Sequence, residues 1–248
     1  MTRAVVNSCL AVRQPFAADP LSGPAAMCVD GISLWRVDLD APTRRNADDW
    51  LSPSEQERAA RFVFPRDARR YRAAHVALRC LLATHAGVPA HIEFEIGAHG
   101  KPGLGSAGAC GFNLSHSGGT ALIGLSACAG IGVDIEVLHP IDDIDALAER
   151  NFSVAEIKEL QRIPAHQQQQ AFLSGWTRKE ACLKALGTGL SVEPGCFETG
   201  LAPQTLRLSI ATELGPAGLW VQSLELGAGV LAAVANTISP HRHDAHIR

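Results

Sequence analysis

No C-x-x-C pair occurs in this chain, and its seven cysteines, at 9, 28, 80, 110, 128, 182 and 196, are odd in number and irregularly spaced. That excludes a disulfide framework or a structural zinc site, which need tighter organisation, and leaves reduced, buried thiols as the expectation. Nor does any apolar run approach the ~20 residues of a membrane span. The opening MTRAVVNSCLAV has too short an apolar patch for a secretory core of ~7–15 residues. A cytoplasmic protein without membrane association is expected. Positive charge is not in excess either: 22 Lys plus Arg face 25 Asp plus Glu, a formal net charge of −3. That argues against a nucleic-acid partner, which calls for a basic stripe or domain; a local basic patch for an acidic protein remains compatible with it.

What is present is core material. The 248 residues are 46% apolar and 19% charged, enough for one large domain or two small ones. Residues 1–30, with Pro15, Pro20 and Pro24, read as an irregular lead-in. ISLWRVDL (32–39) alternates as a strand does. Asp49 or Ser52, followed by Pro53 and Glu55, marks a helix start, giving a short basic helix over 54–62. After Pro65 the spacing of Ala74, Leu78, Leu81 and Leu82 predicts a helix over 67–86, ended by Gly87 and Pro89. IEFEIG (92–97) alternates again. FNLSHS (112–117) and TALIGLSA (120–127) read as a hairpin turned by Gly118-Gly119, and IGVDIEVL (131–138) as the next strand. A helix is expected from about Ile144 to Leu160. The Gln-rich 167–170 then leads into a long helix through WTRKEACLKAL, stopped by Gly187 and Gly189. The last third reads as short strands, LRLSI, LWVQSL and GVLAAVAN, before a polar tail. Each half thus holds a dominant helix and several strands. We expect an α+β chain of two similar lobes, each a small sheet on a long helix, with the active site between them. The boundaries are a lead-in 1–30, an N-terminal lobe 31–128, a C-terminal lobe 129–238 and a tail 239–248.

Three acids carry the chemistry. In a strand, residues i and i+2 share a face, so Asp134 and Glu136 project together while Val133, Ile135 and Val137 face the core. Adjacent carboxylates in so apolar a strand are relieved by a proton or a cation, and a hard divalent ion bound by oxygens is the natural solution; the bland reading is a solvated strand face. On the later helix Trp176, Glu180 and Lys184 share a face at i, i+4, i+8. Glu180 and Lys184 alone are an ordinary surface pair, but an acid flanked by Lys179 and Lys184 suits a metal–phosphate site. His116, between Ser115 and Ser117 beside a Gly-Gly turn, is placed for anion contacts. Lys101, after Gly100 and before Pro102, sits on a turn where backbone can approach a flat ligand. GLGSAG (103–108) matches a dinucleotide fingerprint but does not follow a strand and open a helix, so it is set aside. The tail histidines 241, 243 and 246 read as solvated.

Together these runs resemble the 4′-phosphopantetheinyl transferases of the long, surfactin-synthetase-activating type. The resemblance spans residues 55–200 and rests on ERAARFVFPRDARRYRAAH, HGKPGL, FNLSHSGG, IGVDIE, NFSVAE and WTRKEACLKALGTGL. It implies transfer of the phosphopantetheine arm of coenzyme A to a serine of an apo acyl carrier protein or peptidyl carrier domain, releasing adenosine 3′,5′-bisphosphate. It implies Asp134, Glu136 and Glu180 as ligands of Mg²⁺, with Mn²⁺ as the alternative ion. Lys184 and Lys179 would grip pyrophosphate, His116 and Arg58 would hold the 3′-phosphate, and Ser115 would belong to the cofactor-binding set. The Gly100–Lys101–Pro102 turn would lie on adenine. Glu156, Glu180 or a metal-polarised water would take the serine proton. The family's roles in fatty-acid and secondary-metabolite biosynthesis follow, as does a monomer. Two other readings are a non-catalytic coenzyme A or nucleotide-binding protein and a metal-dependent phosphodiesterase or pyrophosphatase.

Overall fold

The computed structural model describes residues 27–42, 47–105, 110–127 and 130–238. Most of the expected lead-in, the tail with its three histidines and part of GLGSAG lie outside the described residues. In chain order the elements are β1 (Met27–Val29), β2 (Ile32–Asp38), a 3-10 turn at Ala47–Trp50, α1 (Pro53–Ala60), α2 (Pro65–Ala86), β3 (Glu95–Ile96), β4 (Pro102–Gly103), β5 (Gly111–Ser117), β6 (Thr120–Ser126), β7 (Ile131–Val137), α3 (Ile144–Asn151), α4 (Val154–Arg162), α5 (Ala165–Leu186), β8 (Thr205–Thr212), β9 (Gly215–Glu225) and β10 (Val230–Thr237).

These form two lobes of the expected kind. The first sheet runs β1-β2-β6-β5 and the second β7-β10-β9-β8, all neighbours antiparallel. Strand alternation gives each sheet two apolar faces. Trp35, Val37, Phe112, Ala121 and Ile123 of the first pack against Ala74, Ala77, Leu78 and Leu82 of α2. Leu219, Val221, Ala233 and Ala235 of the second pack against Ala181, Cys182 and Leu183 of α5. The remaining faces meet each other: Ile32, Leu34 and Leu122 from one lobe bury Ile131, Val133, Ile135 and Val234 from the other. The order is therefore helix, sheet, sheet, helix.

Local chemistry explains the departures from the sequence expectations. Met27–Val29 pairs with β2 because Asp30-Gly31, at φ 48° and 78°, makes a hairpin turn of the kind Asp-Gly favours. Of IEFEIG only Glu95–Ile96 is a strand; Ile92 and Phe94 turn into the α2 core. The helix expected over 144–160 is two helices. Phe152 is extended, and Ser153 restarts the chain with a capping box to Glu156. The Gln-rich stretch is itself part of α5. Of the cysteines, Cys80 and Cys182 are buried as expected, whereas Cys28 and Cys196 are exposed.

Candidate active site

The acidic cluster begins with a glycine. A Cβ on Gly132 would collide with Ala181 O and Ala185 N of α5, so only glycine lets that helix lie directly on β7. The contact brings Glu180 and Lys184 over the face that carries Asp134 and Glu136. Asp134 is 3% exposed, so this is no solvated strand face. Its Oδ1 accepts from Lys184 Nζ at 2.6 Å and from Ser115 Oγ at 2.8 Å, and Lys184 also donates to Ser115 Oγ at 3.1 Å. Glu136 Oε2 accepts from Ser117 Oγ at 2.6 Å, and that hydroxyl accepts from Val137 N at 3.1 Å.

All three carboxylates have raised pKa values. Burial is the main cause for each; Lys184 pulls all three down, while Asp134 raises both Glu136 and Glu180, and Glu136 raises Glu180 further. They form one coupled electrostatic unit. Among the described residues no three His, Cys, Asp or Glu side chains close tightly enough to hold a metal ion as they stand; the counter-charge against Asp134 is Lys184. The donor set still fits a hard cation, since it is all carboxylate and Asp134 Oδ2 is buried with no hydrogen-bond partner.

A group of basic residues of the N-terminal lobe lies within electrostatic reach of this cluster. His116 is exposed on β5, across the strand from Ser115. Its pKa is lowered by surrounding protein and then by His75, Lys184 and Arg58. His75 stacks on Tyr71 at 4.1 Å, and Arg58 lies over the same ring at 5.7 Å. Glu55 holds this group together: it takes His75 Nδ1 at 2.8 Å, Arg79 Nε at 2.6 Å and Ser52 N at 2.9 Å. Sequence reasoning missed His75. The available signal was its i+4 spacing from Tyr71 and to Arg79 on the α2 face that meets the Ser52–Glu55 capping box.

Residues 130–227 match the profile of the 4′-phosphopantetheinyl transferase superfamily, and residues 42–127 match that of the 4′-phosphopantetheinyl transferase N-terminal region. The 4′-phosphopantetheinyl transferase HetI of Nostoc sp. is 40% identical over 168 residues, 65% of this chain and 71% of its own. The 4′-phosphopantetheinyl transferase psf-1 of Bacillus pumilus is 38% identical over 176 residues, 69% of this chain and 71% of its own. The chain belongs to the 4′-phosphopantetheinyl transferase family. It is therefore a transferase. The L-aminoadipate-semialdehyde dehydrogenase-phosphopantetheinyl transferase of Homo sapiens is 30% identical over 168 residues, 63% of this chain and 54% of its own.

Not every residue expected in the transferase's site is there. Lys179 is 0% exposed. Its amine donates to Pro194 O at 2.7 Å and to Phe197 O, and pairs with Glu156 Oε2 at 2.9 Å. It points into the C-terminal lobe, away from Lys184, and grips no ligand. Glu156 is 2% exposed and saturated: besides Lys179 it accepts from Ser153 N at 3.0 Å, Thr199 N at 2.8 Å and Gly200 N at 3.0 Å. It anchors the 194–200 loop and is in no position to act as a base. Lys101 sends its amine to Ile131 O and Ala185 O of the other lobe, so only the backbone of its turn is left to meet a ligand; Gly100, at φ 84°, shapes that turn and Pro102 leaves it as β4. Beside Glu136, a hollow of about 580 Å³ opens between α3, α5 and residues 139–143; Ile141, Leu147, Phe172, Leu173 and Trp176 give it an apolar wall. Among the described residues no helix is long and apolar enough to cross a membrane.

Proposed function

We propose that this enzyme moves the 4′-phosphopantetheine arm of coenzyme A onto a serine of an apo acyl or peptidyl carrier protein, with Mg²⁺, releasing adenosine 3′,5′-bisphosphate. The observation that carries this reading is the seam between the lobes. A cluster of acids, buried Asp134 paired with Lys184 beside half-buried Glu136 and Glu180, lies on one side and a wall of Arg58, His75 and His116 on the other, matching a ligand with a pyrophosphate at one point and a separate phosphate at another. Asp134, Glu136 and Glu180 would hold the metal, which when bound supplies positive charge to the pyrophosphate oxygens.

The chain's own residues do the rest. Lys184, fixed by Asp134 and Ser115, presents its ammonium to the pyrophosphate and neutralises charge on the departing bisphosphate. Arg58, His75 and His116 hold the 3′-phosphate, and the Gly100–Pro102 backbone lies against adenine. The apolar hollow beside Glu136 takes the pantetheine arm out of water. The serine oxygen forms a bond to the β-phosphorus as the bond from that phosphorus to the bisphosphate oxygen breaks. The serine proton passes to the Glu180 carboxylate. Catalysis of this kind rests on positioning and charge neutralisation.

Mass spectrometry of an apo carrier protein incubated with enzyme, coenzyme A and Mg²⁺ tests the proposal. The expected result is a gain of one phosphopantetheine on the carrier's serine, lost when the metal is chelated. No gain on any of several acyl and peptidyl carriers overturns it.

A further inference from the structure

Lys101 and the glycines that end α5 come from opposite lobes, yet they are built against each other. The turn carrying Lys101 is closed by Gly97 N donating to Lys101 O at 2.9 Å and Gly100 N to Gly97 O at 2.9 Å. From it the side chain crosses the seam and donates to Ile131 O at 2.8 Å, where β7 begins, and to Ala185 O at 3.4 Å, in the last turn of α5. Its stem runs over Gly187, where a Cβ would stand 3.4 Å from Lys101 Cδ, and His99 covers Gly189 in the same way. Both glycines have positive φ, 71° and 54°.

The last carbonyls of a helix lack intrahelical partners. In α5, Gly187 N takes Leu183 O at 2.9 Å, and Ala185 O is met by Lys101. A cation there also opposes the negative end of the helix dipole. The lysine therefore caps α5 from the other lobe. Burial draws its pKa down to about 8, as expected of an amine embedded among backbone atoms. Ala185 directly follows Lys184, the residue bridged to Asp134.

We propose that Lys101 is a positioning residue: it latches the turn of the N-terminal lobe onto the end of α5 and so fixes Lys184 and Asp134 relative to the wall of Arg58, His75 and His116. One ligand touching both lobes then meets a preset spacing. The kinetic part of this inference rests on the reaction proposed above; the latch itself does not.

The test is Lys101→Met and Lys101→Arg in the full chain, with hydrogen exchange and steady-state kinetics. In the Met variant, exchange should quicken in peptides covering 97–103 and 183–189 and stay unchanged over β9 and β10. The KM for coenzyme A should rise roughly tenfold, the scale of one to two lost net hydrogen bonds, while the KM for the carrier holds. Arginine, keeping donors and charge, should recover most of both. Wild-type exchange in both peptides overturns the latch whatever the kinetics, and an equal rise in both KM values overturns the positioning role. Should the Met variant fail to fold, Lys101→Gln is read by the same two measurements. A wild-type enzyme that modifies no carrier sinks the proposed reaction and leaves the exchange result to decide the latch.

Discussion

At the scale of single residues, burial raises the pKa of any carboxylate, and its partners decide whether that prevails. Around Asp134 it prevails, despite Lys184 and Ser115. Around Glu55 it does not: bonds from His75, Arg79 and the Ser52 amide outweigh desolvation and bring the pKa from 4.5 down to about 2. A depressed carboxylate contributes stability that is present above its unfolded value and lost as pH falls through its folded value. The window for Glu55 therefore runs from about 4.5 to about 2, and the linked contribution at neutral pH is about 3 kcal/mol. Glu55→Gln should lower stability at pH 7 by about that much, and the deficit should narrow as pH falls below 4.5. Urea unfolding of both proteins from pH 7 to pH 3 checks this; a deficit that widens in acid would show that Glu55 is not the controlling group. His116 makes a second prediction. Its ring lies within electrostatic reach of Arg58 and Lys184, so His116→Ala should weaken coenzyme A more than 3′-dephospho-coenzyme A, by roughly the 1.5–3 kcal/mol of a hydrogen bond to a charged group. Calorimetric titration of both ligands measures it, and equal losses would remove His116 from the phosphate end.

At the scale of elements, the decisive contact is α5 on β7, and Gly132 sets its distance. Gly132→Ala forces the helix outward, and overpacking of this kind costs about 1–3 kcal/mol. Because Glu180 and Lys184 ride on the displaced helix, coenzyme A binding should weaken too, whereas Gly229→Ala, where no atom lies within 4 Å of the added Cβ, should leave binding alone despite the strain of its φ of 73°. Denaturant midpoints and coenzyme A titrations of the two variants make the comparison. The same contact explains what the sequence could reveal. Period two in IGVDIEVL and period 3.6 in WTRKEACLKAL place Asp134, Glu136, Glu180 and Lys184 on their faces, and a face is all that periodicity provides. Lys179 shows the limit: from Phe172 on, α5 is buried or half-buried all round, and a lysine is almost never fully buried unless paired. Its partner Glu156 lies 23 positions earlier, beyond any local pattern. The SVAE run was legible as a family motif, while its physical role as a capping box that divides α3 from α4 lay in the same four letters. His75 escaped because nothing in α2 alone says that Glu55 will face it.

At the scale of the whole molecule, the lobes are joined by more than the chain between them. Three alternate side chains of β5 reach across to β7: Asn113 Oδ1 accepts from Val133 N at 2.8 Å, Ser115 bonds Asp134 and Ser117 bonds Glu136. Arg36 spans the seam as well, donating to Leu226 O at 2.6 Å, and the apolar layer of Ile32, Leu34, Leu122, Ile131, Val133 and Ile135 lies between the sheets. Neither lobe can leave without exposing that layer, so the two should unfold together. Trp35 reports on the first lobe from the α2 core and Trp220 on the second from beside the seam; variants keeping one or the other should give coincident denaturation curves. Asn113→Ala removes the acceptor for a buried N–H, at a cost of about 1–3 kcal/mol. It should shift both curves to lower denaturant by the same amount, because the lost bond belongs to the seam and to neither lobe alone. Curves that separate, with only one tryptophan responding to Asn113→Ala, would mean that the lobes are independent and that the seam merely brings them into contact.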